Sequence, residues 1–161
     1  MLETDSVKDS ASGLWKKVNI LTQTNSVAVL GLGRFGSAVA LSLASSGENV
    51  LGIDRDSETV RSLTDRLHRI AVADATDLET LRRLGIGEVE QAVVAIGQDV
   101  AASVLTTSLL AELDVQKIWA RAMTYRHALI LERMGAHRVV LPQQDMGKML
   151  AGLLISGGPA P

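Results

Sequence analysis

Three glycines and one acid stand out through their surroundings. An apolar run, Val27-Ala28-Val29-Leu30, leads into Gly31-Leu32-Gly33-Arg34-Phe35-Gly36; a helix-length stretch follows, and a second apolar run, Val50-Leu51-Gly52-Ile53, closes on Asp54. A G-x-G-x-x-G alone is a weak signal, but between a strand and a helix, with an acid about 20 residues on, it describes a nucleotide pocket. Gly31 lets the chain turn out of the strand, Gly33 lets a phosphate approach the backbone, and Gly36 lets the helix pack on the strand. The helix start offers unpaired N–H groups and the positive end of its dipole to an anion. Asp54 can accept hydrogen bonds from both ribose hydroxyls and repels a 2′-phosphate, although Arg55 beside it can receive one. A glycine turn in an α/β protein with an empty pocket is the alternative.

A repeat must position these residues. Apolar, β-branched runs at 27–30, 50–53, 69–72, 92–96, 117–120 and 138–141 alternate with segments of helix length. Six β-α units in succession specify a parallel sheet with right-handed crossovers. The expected fold is therefore α/β, a doubly wound, Rossmann-like six-stranded parallel sheet with helices on both faces. Phe35, Val39, Leu41 and Leu43 line the first predicted helix, which Ser45-Ser46-Gly47 stops; Asp56 caps the second, with Val60, Leu63 and Leu67 as its stripe. Asp77 opens a short third helix through Leu78, Leu81 and Leu84, and a fourth covers Asp99 to Leu113. The fifth begins near Thr124 and carries Leu129, Leu131 and Met134 before Gly135. Pro142 suits the first turn of a sixth, which presents Met146, Met149, Leu150 and Leu153 and stops at Gly157-Gly158-Pro159.

Ligands of such sheets bind beyond the carboxyl ends of the strands. Those ends supply the rest of the expected pocket: Asp54 and Arg55, then Asp74, Ala75 and Thr76, then Ile96, Gly97 and Gln98, and Arg121. Asp74 can bond an adenine amino group or a ribose hydroxyl; a turn shaped by Asp74 and Thr76, capping the third helix, is the plainer reading. Arg34, inside the glycine loop, suits a di- or triphosphate, with an exposed loop arginine as its alternative.

The 161 residues are near the usual size of one domain. Val, Leu, Ile and Ala supply most of the 47% apolar share, with one Phe, one Tyr and two Trp, a balance that suits a parallel sheet buried on both faces. A net charge of −2, without aromatics interleaved in a basic stretch, argues against a nucleic-acid partner. The absence of cysteine excludes disulfides and thiolate chemistry. His68, His127 and His137 lack metal-ligand spacing and read as surface histidines. Residues 1–25 read as a flexible arm in which Leu14 to Leu21 can form a short amphipathic element, 26–156 as the nucleotide-binding domain, and 157–161 as a tail.

Taken together, Gly31-Leu32-Gly33-Arg34-Phe35-Gly36, Asp54, Asp74-Ala75-Thr76, Val94-Ala95-Ile96-Gly97, Ile118-Trp119-Ala120-Arg121-Ala122 and Leu131 to His137, followed by Pro142 and Asp145-Met146-Gly147, resemble the regulator-of-potassium-conductance (RCK, or KTN) N-terminal domain. The likeness is strongest to the cytosolic gating subunits of Ktr and Trk potassium transporters. It implies a regulator that binds ATP or ADP, with Asp54 on the ribose, Arg34 and Arg121 near the phosphates, and Ile96-Gly97 beside the adenine. It also implies homodimers that assemble into a ring under a potassium channel or transporter subunit, at the inner face of the cell membrane, with the apolar last helix as a dimer contact; packing of that helix within its own subunit is the alternative.

Two departures qualify the likeness. Family members often carry an acid directly after the proline that matches Pro142, where it can join a divalent cation; Gln143 stands there, and an amide is a poor ligand for a hard cation. The family's second, smaller lobe is not expected either, so the chain reads as an N-terminal lobe cut from a longer subunit or a natural one-lobe regulator. NAD or NADH, sensed rather than used, is the competing ligand. A hydride-transferring oxidoreductase is the competing activity, and it requires a proton donor and substrate site that the motifs do not offer.

Overall fold

The structure is a computed structural model in which residues 26–158 are described. The expected arm, with its Leu14–Leu21 segment, and residues 159–161 lie outside the described residues. Six strands alternate with six helices: β1 Ser26–Leu30, α1 Arg34–Ser45, β2 Asn49–Asp54, α2 Ser57–Leu63, β3 Arg69–Val72, α3 Leu78–Arg83, β4 Gln91–Val94, α4 Val100–Glu112, β5 Lys117–Arg121, α5 Tyr125–Arg133, β6 Arg138–Val140 and α6 Pro142–Ile155. All pairings are parallel, in the order β3-β2-β1-β4-β5-β6. The chain therefore builds outward from β1 to one edge, crosses back, and builds outward from β4 to the other.

Three of the helices start where a short polar side chain accepts from free N–H groups. The Asp56 carboxylate accepts from the Glu58 and Thr59 N–H groups, Asp99 from Ala102, and the Thr124 hydroxyl from His127. Asp77 occupies the cap position of α3 without a side-chain bond to the backbone; its carboxylate takes the Thr80 hydroxyl instead. Two apolar layers flank the sheet. Val27, Val29 and Val50 pack under α1 and α2, while Ala28, Leu30, Ile53, Val94, Ile118 and Ala120 pack with Leu81, Leu110 and Leu131 on the other side.

Several local expectations require correction. β4 stops at Val94, short of Ile96, because Val94 pairs with Leu30, the last residue of β1, where the chain turns away at Gly31. Leu129 and Met134 are exposed on α5, whose buried side carries His127, Ala128 and Leu131, so His127 is a core residue and not a surface one. The sheet is covered on both faces only in part: along β5 the burial alternates, leaving Lys117 exposed and Trp119 38% exposed, because α1 and α2 lie over β1, β2 and β3. Among the described residues helix α6 buries no side chain, so packing of α6 within its own subunit is not seen there.

Candidate functional site

The carboxyl ends of β1, β2, β4 and β5 enclose a cleft of about 1060 Å³. At its floor Gly31 leaves β1 with φ +95°, a conformation that side-chain-bearing residues rarely adopt, and donates its N–H to the Ile53 carbonyl at 2.8 Å. A Cβ on Gly36 would stand 1.8 Å from the Gly31 oxygen, so only glycine lets α1 approach this closely. A Cβ on Gly33 would meet nothing within 4 Å, which leaves the backbone there open. No side chain caps α1, whose first N–H groups are therefore free for an anion or water.

Asp54 ends β2 with both carboxylate oxygens engaged. Oδ2 accepts the Leu32 N–H at 2.7 Å and Oδ1 the Asp56 N–H at 2.8 Å, which ties the glycine loop to the second strand and fixes the side chain. Each oxygen keeps a lone pair for a further donor. The exposed Asp74 carboxylate accepts both the hydroxyl and the N–H of Thr76. Those two bonds, the hydroxyl first, and the nearby charge of Arg55 hold it below the ordinary carboxylate range. The pair shapes the turn after β3, as the plainer reading had it, while the cap position of α3 falls to Asp77.

Three arginines, Arg34, Arg55 and Arg121, line the cleft, and among the described residues none forms an ion pair; those ion pairs belong to Arg82 and Lys117. The Arg121 guanidinium lies 5.6 Å from the centroid of the Phe35 ring, a cation–π distance. Its Nη1 sits 2.4 Å from where a Cβ of Gly97 would be, and its Nε is buried without a partner. A cationic side chain held against an aromatic face and a bare backbone, with an unsatisfied donor, suits an arriving anion.

Twelve of the thirteen expected residues border this space: Gly31, Gly33, Arg34, Phe35, Asp54, Arg55, Asp74, Ala75, Thr76, Ile96, Gly97 and Arg121. Gly36 lies beneath it as a packing position. Met123, Asp99, Ala102 and Gln143 also line the cleft but were not among the expected ligand contacts. Position carries the signal for Gln143, which follows the end of the sixth strand as the other cleft residues follow theirs. Among the described residues no three His, Asp or Glu side chains gather to hold a metal ion, and no helix is long and apolar enough to cross a membrane.

Residues 27–142 match the model of the TrkA-N domain family. Over 124 residues the chain is 42% identical to Ktr system potassium uptake protein A of Bacillus subtilis; the match covers 77% of this chain and 56% of that protein, so the chain spans little more than half the length of this relative. Among solved structures, the Shewanella denitrificans Kef CTD in AMP-bound form superimposes with a TM-score of 0.68 at 27% identity, covering 83% of this chain and 82% of that one. GsuK bound to ADP gives the same score and identity over 81% of this chain and 34% of its own. The glycine loop, the acid ending β2 and the six-stranded order are thus accompanied by a match along nearly the whole described sheet, and the chain belongs to the TrkA-N, or RCK N-terminal, domain family.

Proposed function

We propose that this domain is the nucleotide sensor of a potassium-transport system: it binds ATP or ADP in the cleft and passes its occupancy to a membrane channel or transporter subunit. One observation carries the reading. Three arginines with no ion pair among the described residues line the same cleft as a glycine-edged helix start and an aspartate whose free lone pairs suit a ribose. A ligand with several negative charges and an adenosine end fits that distribution better than a neutral one. Its role is regulatory rather than catalytic, in a cytoplasmic protein held at the inner face of the membrane through its partner. The AMP-bound Kef structure and the ADP-bound GsuK structure support an adenine nucleotide on this scaffold.

Transmission follows from linkage: a nucleotide shifts the partner only as far as it binds one arrangement of the assembly more tightly than another. The element suited to join subunits is α6, whose Met146, Met149, Leu150 and Leu153 stay exposed. A second copy of the chain covers this surface, and such dimers build a ring. Titration calorimetry with ATP, ADP, NADH and a cyclic dinucleotide tests the ligand. Micromolar binding of ATP or ADP is expected; binding of NADH with no response to either adenine nucleotide overturns the choice of ligand.

A further inference from the structure

Four polar side chains on α4 and α5 are buried. Ser103, Thr106 and Thr107 on α4 are fully buried, and His127, in the first turn of α5, is 4% exposed. Two of the four are accounted for: the Thr106 hydroxyl donates to the Ala75 carbonyl at 3.1 Å and the Thr107 hydroxyl to the Ser103 carbonyl at 2.8 Å. The Ser103 Oγ and the His127 Nε2 have no partner, although buried polar atoms nearly always do.

The opposite edge of the same ring is engaged. His127 Nδ1 accepts the Met123 N–H at 3.2 Å, which requires Nδ1 to be unprotonated and puts the ring proton on Nε2. Burial lowers the pKa of this histidine, so the neutral ring is the stable form. Helices α4 and α5 are in contact. A Cβ on Gly135 would stand 2.7 Å from the Ala111 Cβ, so the C-terminal ends of α4 and α5 touch. Both helices return against parallel strands and hence run in the same direction. Ser103 lies in the first turn of α4 and His127 in the first turn of α5. The Ser103 hydroxyl and the His127 Nε2–H thus lie on two helices in contact, each without a partner among the described residues.

We propose that His127 is a positioning residue for the nucleotide cleft: its neutral ring clamps the turn after β5 through the Met123 N–H and so sets where Arg121 and Met123 enter the cleft. The ring reaches the turn directly, since Met123 lines the cleft and stands two residues after Arg121. The backbone N–H of the same residue donates to the Thr124 hydroxyl, so His127 holds residues 123 and 124 by two separate bonds. A second clamp, from the Ala122 N–H to the Val140 carbonyl at 2.9 Å, fixes the other side of the turn. The proposal rests on the nucleotide reading of the cleft, while its geometry can be tested without it.

Ring nitrogen shifts in the ¹⁵N spectrum of the unmodified chain give the first test. An Nε2–H tautomer with an accepting Nδ1 is expected, and an Nδ1–H tautomer overturns the clamp. ADP affinity and the Met123 amide resonance in His127→Asn and His127→Gln give the second. Asparagine places an oxygen near the Nδ1 position and should bind ADP within about threefold of the unmodified chain, whereas glutamine should bind about tenfold or more weakly with the Met123 amide shifted. In an Arg121→Gln background the same glutamine substitution should add little further loss, because it acts through that arginine. Equal affinities for the folded His127→Gln and unmodified proteins overturn the proposal, as does an asparagine no better than glutamine. If the unmodified chain binds no adenine nucleotide, the reading of the cleft fails, and the tautomer and the Met123 amide still decide the clamp.

Discussion

The Asp54 carboxylate accepts the backbone N–H of Leu32 at 2.7 Å, across 22 residues of sequence. The acid that suits a ribose is therefore also the anchor of the glycine loop, and its two roles share one side chain. With the second oxygen engaged by Asp56, an amide in place of the carboxylate must turn an N–H₂ toward an N–H donor. Asp54→Asn should lose about 1–3 kcal/mol of stability, the usual cost of a mismatched donor, and about tenfold or more in ADP affinity. Thermal melts beside calorimetry check this; unchanged affinity in a folded variant removes Asp54 from the ligand site.

Two glycines of the cleft should respond oppositely to alanine. At Gly36 the added Cβ meets the Gly31 carbonyl oxygen, a backbone atom that cannot retreat, so Gly36→Ala should cost at least the roughly 1–3 kcal/mol of an overpacked core. At Gly97 it meets the end of the Arg121 side chain, which can move. Gly97→Ala should leave stability within about 1 kcal/mol while weakening nucleotide binding, because the guanidinium is pushed from its seat. Chemical denaturation paired with binding isotherms separates the two.

Gln143 reaches the cleft from the first turn of α6. Its amide offers a donor to a phosphate but a weak ligand to a hard cation. ADP affinity in the unmodified chain should change little when magnesium or calcium replaces EDTA in the buffer. Gln143→Glu should introduce a dependence on the divalent ion, visible as a steeper response in calorimetry.

His127 makes stability fall on the acid side. Its folded pKa lies below the unfolded value of 6.5, so the unfolded chain binds the extra proton first. Stability from this residue is complete above about 6.5 and declines as pH falls through that value toward the folded pKa. Denaturation midpoints measured between neutral and mildly acidic pH should drop for the unmodified chain. The drop should be smaller in His127→Asn, which has nothing to titrate there.

The apolar stripe of α6 should decide association. Leu150→Asp places a charge among Met146, Met149 and Leu153 without disturbing the protomer, since α6 buries nothing in it. Light scattering should show dimers or larger species for the unmodified chain and a monomer for the variant. A monomer in both cases removes α6 as the joining surface.

Much of this architecture was legible because spacing carries it. Six apolar runs at regular separation specify parallel β-α units whatever their packing details, and the strand ends then name most of the cleft. What escaped depends on which way a side chain faces. A histidine near a helix start looks like a surface residue until Ala128 and Leu131 show which side of α5 is inward. Leu129 and Met134 look like core until the same side is known. Trp119 reads as one of a strand's buried residues, yet only the distribution of helices over the sheet reveals that its face is left bare.

The sheet order has a mechanical corollary. Strands β1 to β3 and β4 to β6 are hydrogen-bonded to one another through a single strand pair, Val27–Leu30 with Gln91–Val94. A molecule gripped by Asp54 on one half and Arg121 on the other acts as a tether across that seam, so parting the halves must also release it. Amide hydrogen exchange should then slow on both sides of the seam when the tether is in place, including in strands that never touch it.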